Sequence, residues 1–175
     1  MCVRGQKEQA VRVLGIDTSL RSTGVGVVEA RGNRLRAVEC GAVKIPAGKP
    51  LSECLVLLAS GLTEVIERTN PIAVALEGVF YCKNVKTAVI LGEARGVAIA
   101  TCAGRGLPVY EYAPRRVKQA VVGFGAAGKE QVRKMVMTLL ALKEEPQEDA
   151  GDALAVAICH LHNATRISAL KPKTI

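Results

Sequence analysis

Three apolar segments of this chain each carry a carboxylate at one end. The first ends in Asp17, the second ends in Glu77, and the third opens with Asp149 and Asp152. The first two are short, continuous apolar runs typical of buried strands, whereas the third has helical spacing. An ionised acid at the edge of an apolar core costs free energy unless a positive charge offsets it. The pattern therefore favours an α/β fold with a cation site at the ends of its strands.

The charge balance of the chain indicates what such a site would act on. Mg²⁺ or Mn²⁺ is the usual partner of clustered acids, because these hard ions prefer carboxylate oxygens. The 175 residues include 24 Lys and Arg against 16 Asp and Glu, a net charge of +8. This excess favours a polyanionic partner, nucleic acid before an anionic membrane. The plainer alternative is a basic ribosome-associated or merely soluble protein.

The hydrophobic pattern predicts a single mixed α/β domain with helices flanking one sheet. The predicted strands cover 11–17, 25–30, 34–45, 72–77 and 107–112, and the predicted helices cover 50–69, 85–105, 114–122, 129–142 and 147–163. Residues 22–24 are predicted to form a turn. We expect residues 1–10 to be an N-terminal extension, 11–163 the folded domain and 164–175 a mobile basic tail.

A glycine-rich segment at 123–129 matches G-x-G-x-x-G and nearly matches the phosphate-binding P-loop. Both motifs need a strand before the glycines and a helix after them, but the preceding residues 114–122 predict a basic helix. Glu130 also stands where a P-loop places a hydroxyl group for Mg²⁺. The segment therefore fits a basic loop better than a nucleotide site, because glycine amides and Lys129 can both approach a nucleic-acid backbone.

Phosphodiester hydrolysis is a reaction that uses several carboxylates from strand ends and a helix. Such acids can hold two cations about 3.5–4 Å apart, one to activate a water and one to stabilise the leaving 3′-oxygen. For each acid taken alone, turn or helix capping is an alternative role. Glu77 is the most informative, because Gly78 follows it and lets a ligand or another backbone approach closely.

Basic side chains gather in two parts of the sequence. Lys83 and Lys86 follow Glu77 closely, and a second group lies on the later predicted helices: Arg115, Arg116, Lys118, Lys129, Arg133 and Lys134. A solvated charged face is the alternative interpretation of these residues. Phe80 and Tyr81 lie beside Lys83, where an aromatic ring can either stack on an unpaired base or pack in the core.

Cysteine usage and hydropathy indicate where the protein works. Six cysteines without a C-x-x-C pair are typical of small core residues in a reducing cytoplasm. No stretch of the sequence approaches the roughly 20 uninterrupted apolar residues of a membrane span, and the N-terminus lacks the apolar core of a signal peptide. We therefore expect a cytoplasmic protein.

Four motifs in this order resemble those of the RuvC family of Holliday-junction resolvases. They are Gly15-Ile16-Asp17, Ala75-Leu76-Glu77-Gly78-Val79-Phe80, Tyr112-Ala113-Pro114-Arg115-Arg116-Val117-Lys118-Gln119 and Asp149-Ala150-Gly151-Asp152-Ala153-Leu154-Ala155. They span about residues 11–163, nearly the whole chain. Four motifs at family-like spacing make the resemblance specific.

The resemblance implies an α/β, RNase H-like fold, in which helices flank both faces of a five-stranded mixed sheet. It also implies a homodimer that nicks opposed strands of a four-way DNA junction in recombination and repair, with two Mg²⁺ or Mn²⁺ ions per subunit and RuvA and RuvB as branch-migration partners. By position, the catalytic and metal-binding carboxylates would be Asp17, Glu77, Asp149 and Asp152. Lys118, also a catalytic residue, and Lys129 would both lie near the scissile phosphate. The DNA contacts would be Phe80, Lys83, Lys86, Arg115, Arg116, Lys118 and Lys129, with Phe80 stacking at the junction centre.

The chain departs from the family pattern at two places. Thr18-Ser19 follows Asp17 where the family usually has Pro-Gly, and Gly151 replaces the usual alanine at a cost of roughly 1 kcal/mol in helix propensity. Two rival functions stay open. One is a junction-binding protein without nuclease activity. The other is an ATP-using phosphotransferase of the actin and sugar-kinase class, which needs two such domains where this chain supplies one.

Overall fold

A computed structural model of the chain describes residues 9–78, 84–164 and 174–175. The described residues form five strands and five helices, in the order β1 (Val11–Asp17), β2 (Ser22–Arg31), β3 (Arg34–Lys44), α1 (Leu51–Thr69), β4 (Ala73–Glu77), α2 (Val85–Gly104), β5 (Val109–Tyr112), α3 (Pro114–Val122), α4 (Lys129–Leu140) and α5 (Glu148–Ala164). The order and type of these elements confirm the sequence prediction. Most of the predicted extension and tail lies outside the described residues.

The strands form one mixed sheet in the order β3-β2-β1-β4-β5. The first three strands are an antiparallel meander, and β4 and β5 add to β1 in parallel. The predicted turn at 22–24 was wrong, because the antiparallel ladder continues far enough to pair Asp17 with Gly24. β2 therefore begins at Ser22, and the turn is confined to residues 18–21.

Helices cover both faces of the sheet, as the resemblance implied. On one face, α3, α4 and α5 enclose a buried cluster that includes Val136, Leu154 and Ile158. On the other face, α1 and α2 enclose a second cluster around Leu58 and Leu62. Apolar residues on both sides explain why the central strands are continuous apolar runs rather than alternating ones.

The cysteines follow the prediction only in part. Cys54, Cys102 and Cys159 are buried, whereas Cys40, on the edge strand β3, is exposed. Cys2 and Cys82 lie outside the described residues.

Two glycines let α5 cross the sheet at close range. A Cβ atom at Gly15 would lie 1.9 Å from the carbonyl oxygen of Ala153, and one at Gly24 would lie 2.0 Å from that of Asp149. Any side chain at either position would push the helix away from the sheet. The close packing brings the first turn of α5 to the sheet edge where β1 and β4 end.

Helix α2 packs on the protein with only a narrow face. Its buried residues are Ala94, Ala98 and Cys102, while Val85 and Val89 are 78% and 55% exposed. By length and composition this helix could cross a membrane, which was not expected from the sequence. A single such helix is weak evidence for a membrane span, and its narrow buried face belongs to the core beneath the sheet. We therefore treat α2 as a surface helix of the α/β domain.

Candidate active site

Parallel pairing of β1 and β4 brings two acids to the same end of the sheet. The register places Ile16 opposite Leu76, so the residues that follow them, Asp17 and Glu77, stand side by side. Each acid ends its strand, as the sequence predicted. Their proximity follows from the parallel register, because neighbouring parallel strands carry their carboxyl ends to one edge.

These two acids share one cavity with residues from three helices. The cavity has a volume of about 360 Å³ and contains an acid of α5 and two lysines, one from α3 and one from α4. The charged residues that line it are Asp17, Glu77, Asp152, Lys118 and Lys129. Five residues singled out from distant parts of the sequence are thus brought together.

The acids of this cavity hold their protons more tightly than free carboxylic acids. Burial, followed by the charges of Asp152 and Asp149, raises the pKa of Asp17 to about 6. Burial, followed by the charge of Asp17, raises the pKa of Glu77 to about 7. Burial also raises the pKa of Asp152. Both causes disfavour the ionised acids, and a cation bound among them would reverse that effect.

The two lysines act on these acids from the helix side of the cavity. Lys129 Nζ lies 2.8 Å from Glu148 Oε1 and 3.7 Å from Asp152 Oδ2. The hydrogen bond to Glu148, and then the charge of Asp152, raise the pKa of Lys129. The charges of Lys129 and Lys118 in turn pull the pKa of Glu77 downward. Glu148, which the sequence did not single out, thus holds Lys129 beside the site.

Asp149 has a different environment from the other three acids. Its Oδ2 accepts a 2.5 Å hydrogen bond from Ser22 Oγ, and it is not among the described residues that line the cavity. Its charge still raises the pKa values of Asp17 and Asp152. Within the described part of the chain, no three acidic, histidine or cysteine side chains form a group that could hold a metal ion. The four acids are therefore neighbours but do not form a closed cage.

Hydroxyl groups organise the turn between β1 and β2. The Ser22 N–H donates to Ser19 Oγ at 3.1 Å, and the Ser19 N–H donates to Thr23 Oγ1 at 3.2 Å. The Thr23 hydroxyl also donates to the Ser19 carbonyl. Thr18 Oγ1 is buried without a hydrogen-bond partner among the described residues. Side-chain hydrogen bonds thus order this turn, in which Thr18-Ser19 stands in place of the Pro-Gly that the family resemblance led us to expect.

Arg95 holds the main chain of Glu77 from the side of α2. Its Nη1 donates to the Glu77 carbonyl at 2.8 Å, and its Nη2 lies 2.7 Å from Glu111 Oε2. The second contact is an ion pair by distance but is not aligned as a hydrogen bond. Gly78, which follows Glu77, lies close to Glu111, since a Cβ atom there would be 2.7 Å from Glu111 Oε1. No sequence signal marked Arg95, because it looks like one charge in an apolar helix.

The residues predicted to contact DNA have different surroundings. Phe80 and Lys83 lie outside the described residues. Lys86 is exposed in the first turn of α2, and Arg115 is exposed on α3. Arg116 is only partly exposed, and its Nη2 donates to a side-chain oxygen on α5 at 2.6 Å. Arg116 therefore uses part of its guanidinium group inside the protein.

The glycine-rich segment joins two helices. Gly123, with a φ of 85°, ends α3, and Gly128 directly precedes α4. A helix rather than a strand leads into the segment, so the context that a nucleotide-binding loop requires is missing. The structure thus supports the rejection of a P-loop. The segment delivers Lys129, the first residue of α4, to the cavity.

Comparison with known proteins identifies the family. A family model described as "Crossover junction endodeoxyribonuclease RuvC" matches residues 13–160. The chain belongs to the RuvC family. A RuvC protein with the same description from Pelotomaculum thermopropionicum is 49% identical over 162 residues, covering 92% of this chain and 99% of that protein. Another, from Trichlorobacter lovleyi, is 52% identical over 153 residues, covering 87% of this chain and 86% of that protein.

Solved structures of RuvC proteins share the fold. The structure of T. thermophilus RuvC in complex with a Holliday junction substrate superposes with a TM-score of 0.87 at 35% identity, covering 94% of this chain and 99% of that chain. The yeast mitochondrial Holliday junction resolvase Ydc2 gives a TM-score of 0.65 at 13% identity, covering 90% and 80%. At 13% identity, the similarity to Ydc2 shows only that the two proteins share a fold. The α/β fold is RNase H-like, as the RuvC resemblance implied.

Proposed function

We propose that this protein is a structure-selective endonuclease that resolves four-way DNA junctions by paired nicks in opposed strands, in recombination and repair. The observation that carries this proposal is a single cavity in which three acids with raised pKa values meet two lysines. Membership of the RuvC family, and likeness to a relative solved with a Holliday junction substrate, support the same substrate class.

The four acids supply the type of oxygen ligand that a pair of divalent cations, Mg²⁺ or Mn²⁺, would require. Asp17, Glu77, Asp149 and Asp152 would hold them through carboxylate oxygens, the ligands that these ions prefer. Burial and mutual repulsion of the acids, seen in the raised pKa values of Asp17 and Glu77, are what bound cations would offset. When bound, such ions supply an activated water and stabilise the leaving oxygen. Because the described acids are not yet a closed cage, we expect metal loading to draw them together.

Lys118 and Lys129 bind and orient the scissile phosphodiester. Both line the cavity that contains the acids, so their ammonium groups can contact phosphate oxygens and balance the charge that develops there. Lys129 is also the first residue of α4, where backbone N–H groups favour an anion. We expect it to exchange its contact with Glu148 for one with the phosphate.

Contacts to the DNA backbone extend beyond the cavity. We assign Lys86, Arg115 and Arg116 to this surface, and Lys83 and Phe80 to the loop after β4, with Phe80 stacking at the junction centre. The net charge of +8 and the exposure of Lys86 and Arg115 support the assignment. Binding through several phosphates should weaken by orders of magnitude between about 50 and 200 mM salt.

The active form is a homodimer joined through the exposed face of α2. Two opposed strands must each be cut, and a symmetric pair of sites meets that need. The helix exposes Val85 and Val89, and Cβ atoms at Gly92 and Gly96 would meet nothing within 4 Å, so a second helix could approach closely. Partnership with RuvA and RuvB, and action in the cytoplasm, rest on family membership alone.

A junction-nicking assay tests this proposal. Full-length protein with Mg²⁺ or Mn²⁺ should place symmetric nicks in a synthetic four-way junction labelled on each strand. Asp17→Asn should bind the junction without cutting it, whereas Glu144→Gln on an exposed loop should cut normally. Normal cutting by Asp17→Asn would refute the metal-site assignment. Binding without cutting by the wild type would support a junction-binding protein without nuclease activity, and ATP turnover without DNA would support the phosphotransferase.

A further inference from the structure

We infer that Ser22 is a positioning residue that orients the carboxylate of Asp149 for metal binding. The inference rests on the proposed function, because it concerns one of the four acids assigned to the cations. Ser22 is the first residue of β2, and Asp149 lies in the first turn of α5. The Ser22 hydroxyl donates a hydrogen bond of 2.5 Å to Asp149 Oδ2, so the two side chains are in direct contact.

The backbone holds the two residues of this pair at a fixed separation. Gly24, two positions along β2, packs so closely on α5 that a Cβ atom there would lie 2.0 Å from the Asp149 carbonyl oxygen. β2 is also paired on both sides, with β1 and with β3. The start of the strand therefore has little freedom to move relative to the helix, and the hydroxyl of Ser22 stays within reach of the carboxylate.

The preceding turn fixes Ser22 from the other side. Its N–H donates to Ser19 Oγ, while Ser19 itself is held through its N–H and carbonyl by the fully buried Thr23. This hydroxyl turn, defined as Ser19, Ser22 and Thr23, directly follows the strand that ends in Asp17. One set of side chains thus connects the segment that carries Asp17 to the acid that opens α5.

The hydrogen bond from Ser22 to one oxygen of Asp149 affects which oxygen of that carboxylate can bind a cation. The bond from Ser22 occupies Oδ2 of Asp149 and leaves Oδ1 as the oxygen for a cation. Outer partners of this kind orient metal ligands, and their loss commonly lowers metal affinity by about 10–100-fold.

Side-chain hydrogen bonds, rather than a proline ring, order the turn after Asp17 in this chain. Pro-Gly would stiffen the residues after Asp17 through the proline ring, and Thr18-Ser19 cannot do so. Here Ser19 supplies the acceptor that anchors Ser22. In this chain, side-chain hydrogen bonds therefore take over the ordering of the turn and extend it to Asp149.

Metal titration of the DNA-free protein tests the inference without relying on activity. Mn²⁺ binding is measured by calorimetry for the wild type, Ser22→Ala and the isosteric pair Ser22→Thr and Ser22→Val, with exposed Ser60→Ala as the matched control. Unfolding in EDTA is recorded for each variant. The dissociation constant for Mn²⁺ should rise about tenfold in Ser22→Ala and Ser22→Val, and stay within about threefold of wild type in Ser22→Thr, which keeps the hydroxyl. Ser60→Ala should match the wild type.

A double-mutant cycle separates positioning of Asp149 from a general structural effect. In an Asp149→Asn background, Ser22→Ala should change Mn²⁺ affinity no further, and junction affinity in EDTA should be unchanged throughout. Equal Mn²⁺ affinity of Ser22→Ala and wild type, equal effects of Ser22→Thr and Ser22→Val, or an undiminished effect in the Asp149→Asn background would each overturn the inference. A wild-type protein that binds no Mn²⁺ and cuts no junction would instead overturn the proposed function.

Discussion

Replacement of Glu77 by glutamine should stabilise the metal-free protein while abolishing its activity. Burial and the charge of Asp17 raise the pKa of Glu77 from 4.5 to about 7. Between those two values the folded protein binds more protons than the unfolded chain, so stability falls as pH rises through this range. The ionised Glu77 side chain therefore destabilises the fold above about pH 7, and glutamine removes that charge.

The pKa shift sets the magnitude of this effect. A pKa of about 7 in place of 4.5 corresponds to at most about 3.4 kcal/mol. Because Glu77 is only partly buried, solvent screens its charge, and we expect a gain of about 1–2 kcal/mol in Glu77→Gln at pH 8. At pH 4, below both pKa values, the gain should disappear. Saturating Mg²⁺ should reverse the order of stability, since ligand at 100 times its dissociation constant adds about 2.7 kcal/mol to the wild type.

Urea unfolding at pH 4 and pH 8, in EDTA and in Mg²⁺, measures these differences. The matched control is Glu144→Gln, the same chemical change on an exposed loop, which should alter the free energy of unfolding by less than about 0.5 kcal/mol at either pH. If Glu77→Gln is less stable than wild type in EDTA at pH 8, burial and the charge of Asp17 do not destabilise the ionised Glu77 side chain, and the reasoning fails.

Three further predictions concern pH, support of Glu77 and salt. Mn²⁺ affinity measured by calorimetry should rise between about pH 5 and 8, because Glu77, with a pKa of about 7, must lose its proton to bind the ion. An affinity that does not change over this pH range would exclude Glu77 as a ligand. Arg95→Met should lower the single-turnover cutting rate about 10–100-fold with unchanged junction affinity, because the Glu77 carbonyl loses its hydrogen-bond donor. The control, exposed Arg105→Met, should cut at the wild-type rate. Cutting by Arg95→Met at the wild-type rate would show that Arg95 does not support Glu77. Lys118→Met should reduce the slope of log affinity against log salt by about 1, and an unchanged slope would show that Lys118 touches no phosphate.

Local sequence patterns predicted most of the fold correctly. Continuous apolar runs marked the central strands, because a strand buried on both faces cannot alternate, and helical spacing marked the helices. The prediction failed where pairing overrode a local signal. Residues 22–24 look like a turn by composition, but pairing with β1 extends β2 back to Ser22. The exposure of Cys40 on β3 was likewise not visible in the sequence, because it depends on how the helices cover the sheet.

The residues of the candidate site were likewise predictable from the sequence only where a local pattern marks them. Asp17, Glu77 and Asp152 could be selected because an acid at the end of an apolar segment is a local and unusual feature. Arg95 and Ser22 could not, because an arginine in a surface helix and a serine near a turn are common. Their significance comes from the carbonyl and the carboxylate that they contact across the fold.

The acids, the excess of basic residues and the order of the strands and helices could be read from the sequence alone. These depend on residue type and on short-range periodicity, which the chain carries wherever it folds. Tertiary packing, in contrast, makes Asp17 and Glu77 neighbours, places a serine hydroxyl group against Asp149, and leaves an apolar face of α2 exposed. Such relations arise from strand register and helix packing between distant segments, and no local pattern encodes the distance between two atoms.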